Sequence, residues 1–114
     1  MALLATQSIT RAGAAPSYAV ATGGGDTFTP DQDTFLHVKN ASGGAITVTI
    51  VTPRTDNWGN AIADNTVSVP ATTGDRMIGP FPAESYADPV TGLANITYSG
   101  VTSLTIGCFK VVSP

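Results

Sequence analysis

Within Ala45-Ile46-Thr47-Val48-Thr49-Ile50-Val51-Thr52, apolar and hydroxyl side chains alternate strictly from Ile46 to Ile50. Successive side chains of an extended strand point to opposite faces, so this period of two puts Ile46, Val48 and Ile50 on one face and Thr47 and Thr49 on the other. Nearly every residue in the run is β-branched, which favours a strand over a helix. The preceding run, Thr34-Phe35-Leu36-His37-Val38-Lys39-Asn40, repeats the pattern, with Leu36 and Val38 on one face and Phe35, His37 and Lys39 on the other. Asn40-Ala41-Ser42-Gly43-Gly44 joins the two and offers glycines for a tight turn. The pair predicts a β-hairpin from Phe35 to Val51.

The same period recurs in Thr66-Val67-Ser68-Val69, in Asp75-Arg76-Met77-Ile78-Gly79 and in Asn95-Ile96-Thr97-Tyr98-Ser99. It is longest in Ser103–Val112, where Leu104, Ile106 and Cys108 share a face and Phe109 and Val111 then carry apolar groups on the other. Either Gly107 marks a bulge that corrects the slip, or the end of that strand is buried on both faces. Weaker strands are expected at Gln7–Arg11 and Ser17–Ala21. No segment has a helical period, and 8 prolines and 12 glycines punctuate the 114 residues at short intervals. The pattern predicts an all-β chain: a β-sandwich or jelly-roll-like barrel of six to eight short strands, with helix limited to short turns. It divides into an extended N-terminal arm, residues 1–16, and a single β-domain, residues 17–114. The expected core is Leu36, Val38, Ile46, Val48, Ile50, Val67, Val69, Ile96, Leu104 and Ile106.

Charge narrows the function. Charged residues are 11% of the chain, less than half the usual share of about a quarter. The polar surface must therefore come from Thr, Ser, Asn and Gly, which are cheaper to desolvate than lysine or glutamate. Subunit interfaces are depleted in charge for that reason. The net charge is −3, and the basic residues Arg11, Lys39, Arg54, Arg76 and Lys110 are scattered, so no patch is expected to neutralise nucleic-acid phosphates. No run approaches the apolar length of a membrane span. The N-terminus lacks the basic region of a signal peptide, and none is expected.

The residues that usually carry chemistry are isolated here. Cys108, the one cysteine, reads as a small buried hydrophobe. His37 has no partner at catalytic or metal-binding spacing and reads as a strand residue on the less buried face. Asp26, Asp31 and Asp33 begin like a calcium loop, but the strand from Phe35 breaks the continuation, and they read as turn-forming, solvent-facing aspartates. Gly23-Gly24-Gly25 lacks the lysine of a phosphate loop. The expectation is no catalytic residue, no metal and no cofactor. Trp58, the single tryptophan, lies in the polar loop Pro53–Asn60; it is either a buried loop residue or an interface anchor.

The run Thr34–Asn40, the strand Ile46–Ile50, the segment Ile78-Gly79-Pro80-Phe81-Pro82 and the closing Ile96–Ile106 resemble the small head decoration, or cement, proteins of tailed bacteriophages. The resemblance spans most of the chain and rests on strand and turn patterns. It implies a virion protein without an active site, made in the bacterial cytoplasm. Such a protein binds the outer face of an assembled capsid, contacts the major capsid protein and reinforces the joints between capsomers. It also implies a homo-oligomer, with trimers at local threefold positions as one form. The expected contact residues are Leu3, Leu4, Ile9, Tyr18 and Trp58, with Leu3 and Leu4 exposed on the arm. Rival readings are a head–tail adaptor, a tail or fibre subunit, and a carbohydrate-binding sandwich that stacks sugars on Trp58, Tyr86 and Tyr98.

Overall fold

The computed structural model describes residues 2–111. Ten strands and one helical turn follow in order: β1 (Ala2–Leu3), β2 (Thr6–Ile9), β3 (Ala19–Val20), β4 (Asp26–Phe28), β5 (Thr34–Asn40), β6 (Ile46–Ile50), β7 (Asn65–Val69), β8 (Gly74–Ile78), α1 (Ala83–Tyr86), β9 (Ala94–Tyr98) and β10 (Leu104–Val111). They form two five-stranded sheets, one ordered β1-β4-β9-β6-β7 and the other β2-β10-β5-β8, with β3 also on β10. The chain is a β-sandwich, all-β apart from the turn α1. The strand number exceeds the expected six to eight because of β1 and β4, which are too short to show a period; β3 lies within the weaker strand expected at Ser17–Ala21.

The core lies between the sheets. Leu36, Val38, Ile46, Val48, Ile50, Val69, Ile96, Leu104 and Ile106 are all buried there. Val67 is only partly buried against the cluster, because β7 is an edge strand. Phe28 and Phe81 are fully buried as well; their rings meet edge to face with centroids 5.1 Å apart, and Tyr86 packs on Phe81 at 5.2 Å.

The expected hairpin between Phe35 and Val51 does not form. Both strands are present, but β5 belongs to one sheet and β6 to the other. The connector is an arch across the sandwich, so Leu36 and Val38 face Ile46, Val48 and Ile50 instead of lying beside them. Asn40 builds the arch. Its Nδ2 donates to the carbonyls of Gly44 at 2.9 Å and Val69 at 3.2 Å, and its Oδ1 accepts from Ser42 N at 2.9 Å and Ser42 Oγ at 2.6 Å. An asparagine read as a turn former is thus a fully used buried polar group tying the arch to the far edge of the sheet.

Gly107 marks no bulge. β10 keeps an unbroken antiparallel register with β5, from Leu104 opposite Asn40 to Lys110 opposite Thr34. The alternative holds: Cys108 and Phe109 point to opposite faces and both are buried. A Cβ at Gly107 would lie 2.8 Å from the Phe109 ring and 3.1 Å from the Ser17 carbonyl, so the glycine makes room for what covers the outer face.

The N-terminal segment runs along both sheets. β1 pairs in parallel with β4, and β2 in parallel with β10. Leu4, between them, donates its N–H to the Thr27 carbonyl at 2.7 Å and is buried in the core. The expectation that Leu4 stands exposed for a partner is corrected: its side chain is spent inside this chain.

Asp26 also departs from expectation. It is fully buried in β4, not solvent-facing. Its Oδ2 accepts from the Thr22 N–H at 3.2 Å and the Tyr98 hydroxyl at 2.6 Å. Burial, and then the neighbouring carboxyl, push the Tyr98 hydroxyl far above the usual tyrosine range.

Two stability changes follow, both readable by urea unfolding. Ile106→Ala should cost about 2–5 kcal/mol, the range for a large aliphatic residue removed from a packed core. Tyr98→Phe should cost about 1–3 kcal/mol, because it strips a donor from a buried carboxyl group; a loss below about 0.5 kcal/mol, the usual surface range, would show that the Asp26–Tyr98 bond is not formed.

Candidate functional site

Phe35, His37 and Lys39 on β5, Phe109 on β10 and Met77 on β8 point away from the core, as their alternation requires. Such a face would normally be polar. Here Phe35 and Phe109 stack with centroids 5.7 Å apart, and the segment from Gly13 to Tyr18 crosses over them as a strap. Gln7 holds the strap in place of a backbone ladder: its Nε2 donates to the Ser17 carbonyl at 2.7 Å, and its Oε1 accepts from Ser17 N–H at 2.8 Å. Tyr18 packs edge-on against Phe109 at 5.7 Å and His37 at 5.4 Å. Lys39 Nζ sits 4.2 Å over the Tyr18 ring, a cation–π contact.

His37 has partners that its sequence neighbourhood does not reveal. Its Nδ1 lies 2.6 Å from the Tyr18 hydroxyl, and its Nε2 bonds to Asp75 Oδ1. With Nε2–H donating to the carboxylate, Nδ1 accepts the tyrosine proton. The order carboxylate, imidazole, hydroxyl resembles that of a nucleophile triad; here the hydroxyl belongs to Tyr18, and its bond ties the strap to the sheet.

Between strap and sheet lies an open cleft of about 280 Å³, lined chiefly by Ile9, Pro16, Tyr18, Phe35, Met77 and Phe109. Met77, at its rim, is 69% exposed. Ile9 and Tyr18, both expected as contact residues, thus come together on one wall. The aromatic floor was missed, although Phe109 falling out of phase with Cys108 was its signature.

Trp58 stands apart from the cleft, on the connection between β6 and β7. It is not a buried loop residue: its side chain is 85% exposed. The loop carrying it is nonetheless built. Thr55 bridges Ala61, Asp56 N–H donates to the Asn60 carbonyl at 2.9 Å, and Gly59 N–H donates to the Asp56 carbonyl at 3.1 Å. Asp56 Oδ1 accepts the N–H groups of Trp58 at 2.8 Å and Asn60 at 2.9 Å. Those backbone bonds, Asn60 first and then Trp58, hold the Asp56 carboxyl below its usual value of 3.8. At the base of the loop, Arg54 Nε donates to the Ala87 carbonyl at 3.1 Å. Leu3, 62% exposed, lies on the edge strand β1 and lines a second hollow together with Gln7, Ser17 and Tyr18, beside the strap.

Two of the three aspartates considered for calcium have separate uses. Asp26 is in the core, and Asp31 pairs with Lys110 at 2.9 Å while its Oδ1 accepts the backbone N–H of Asp33 at 3.2 Å. The Lys110 bond, then the Asp33 N–H, lower the Asp31 pKa. Cys108 is buried, which raises its thiol pKa. Among the described residues no helix is long and apolar enough to cross a membrane.

Compared with family models, curated proteins and solved structures, the chain matches none.

The Trp58 loop should depend on pH. The Asp56 carboxyl is depressed in the folded state, so its support is complete above the usual carboxylate value and is lost as pH falls through the folded value. Acidification below the usual 3.8 should therefore lower the hydrogen-exchange protection of the Trp58 and Asn60 amides, relative to their intrinsic rates, before the core strands respond. Asp56→Ala should give the same loss of protection at neutral pH. Exchange in that variant as slow as in the parent would show that the carboxylate does not order the loop.

Proposed function

We propose that this chain is a structural virion protein that binds the outer surface of an assembled phage capsid and reinforces contacts between capsomers. The observation that carries the proposal is the surface. Large apolar side chains stand exposed at Leu3, Val20, Trp58, Ile62, Met77, Val90 and Val111, on a chain whose charged residues are only 11%. Single exposed hydrophobics are ordinary, but so many with so little charge suit a molecule covered by neighbours. Its shape also fits: the extents are 42 × 39 × 20 Å, a plate that can lie across a joint between subunits. The resemblance of the strand and turn segments to phage decoration proteins supplies the partner, the major capsid protein. Trimers at local threefold positions would multiply a weak contact, since each added site on a shell binds at high effective concentration.

A carbohydrate-binding role is the second reading, favoured by Trp58 alone. Tyr98 has its hydroxyl on buried Asp26, and Tyr86 is packed against Phe81, so neither is free to stack on a sugar.

The test adds the purified chain to shells stripped of it and to unassembled capsid subunits, and measures co-sedimentation. A cement site is composed from neighbouring capsomers, so binding is expected on shells and not on free subunits. Equal binding to both would contradict the proposal. Removing residues 2–13 would be a poor probe of the arm, because it deletes β1, β2 and the core residue Leu4. Leu3 is 62% exposed, so Leu3→Asp should keep the fold. Burying one leucine contributes roughly 1.5–3 kcal/mol, so this variant should bind shells about tenfold or more weakly if Leu3 is a contact.

A further inference from the structure

Trp58 and the cleft beneath the strap are complementary features that one molecule cannot bring together. The tryptophan projects from the loop between β6 and β7 of one sheet. The cleft opens on the outer face of the other sheet. We propose that Trp58 of one copy inserts into the Ile9–Tyr18–Phe35–Met77–Phe109 cleft of a second copy, forming a head-to-tail contact.

The size of the cleft, about 280 Å³, falls just below the usual ligand-pocket range of roughly 300–1,000 Å³ and suits one aromatic side chain. Its floor of stacked Phe35 and Phe109 and its Tyr18 edge offer an indole both stacking and edge-on contacts. Both sides are pre-ordered. The Asp56 hydrogen bonds fix the loop, and the Gln7, His37 and Asp75 bonds fix the strap, so little freedom is lost on docking. Asp56 accompanies Trp58; beside the cleft Lys39 stands over Tyr18 and Arg11 occupies the turn between Ile9 and Ala14, while Asp75 is already bonded to His37.

Because knob and hole are different patches, the contact is heterologous. It closes into a ring or continues as a chain of subunits, according to the rotation it imposes. It is independent of the capsid reading and should form between purified copies with no shell present.

The single tryptophan makes the test direct. Sedimentation and tryptophan emission are followed together as the full-length protein is concentrated to about 1 mM, the weak end of specific association. Association should move the emission to shorter wavelength as the indole leaves water. Trp58→Ala and Met77→Arg should each weaken self-association about thirtyfold, as expected for a central aromatic anchor. Met77 is exposed, so its substitution should not unfold the sheet; Ala15→Arg, on the strap, blocks the same cleft from the other wall. The decisive arm mixes Trp58→Ala, which keeps the cleft but has no tryptophan, with Met77→Arg, which keeps the tryptophan but has a blocked cleft. The mixture should form a heterodimer whose emission shifts, although Met77→Arg alone does not. A wild-type protein that stays monomeric, an association that leaves the emission unchanged, or a mixture without a shift would each overturn the proposal.

Discussion

The antiparallel pairing of β10 with β5 is the constraint on which the rest of the molecule depends. Seven consecutive residue pairs hold it in one register. Because side chains alternate, that register decides two surfaces at once. Inward it sets Leu36 and Val38 with Leu104, Ile106 and Cys108 against the facing sheet. Outward it sets Phe35 against Phe109, and with them the floor of the cleft. A slip by one residue would send the core to solvent and the aromatic pair inward. The N-terminal segment then follows: β2 and β3 both add to the free edge of β10, and the strap between them can only cross the outer face.

The strands that carry a period of two were legible in the sequence because that period is the physical signature of one buried face. β5, β6, β7, β8, β9 and β10 all lie within a residue or two of where the alternation places them. What they pair with was not legible. A connector rich in glycine serves a hairpin or an arch equally well, and the choice fell to Asn40, one of whose four hydrogen bonds reaches Val69, far along the chain. Asp26 misled for a related reason. An aspartate beside glycines resembles a turn, and its burial is tolerable because the Thr22 N–H and the hydroxyl of Tyr98, 72 residues away, donate to it.

The candidate site divides along the same line. Trp58 stood out as a lone aromatic in a polar loop, a local signal, and the structure supplies its exposure and the Asp56 bonds that present it. The cleft is built from β2, the strap, β5, β8 and β10, which meet only in the fold. Its one local trace was the phase slip between Cys108 and Phe109. His37 shows the limit most clearly: its two partners, Tyr18 and Asp75, lie 19 and 38 residues away. The charge-poor surface was readable from composition alone, and it is the common ground of the capsid proposal and the self-contact: such a surface costs little to desolvate wherever a neighbour covers it.

The capsid proposal is tested most directly by imaging the source particle with and without this chain by electron cryomicroscopy. The account predicts added density on the outside of the shell, the size of a plate 20 Å thick, lying across joints between capsomers and absent from particles lacking the protein. Density confined to the neck, the tail or a fibre would contradict it.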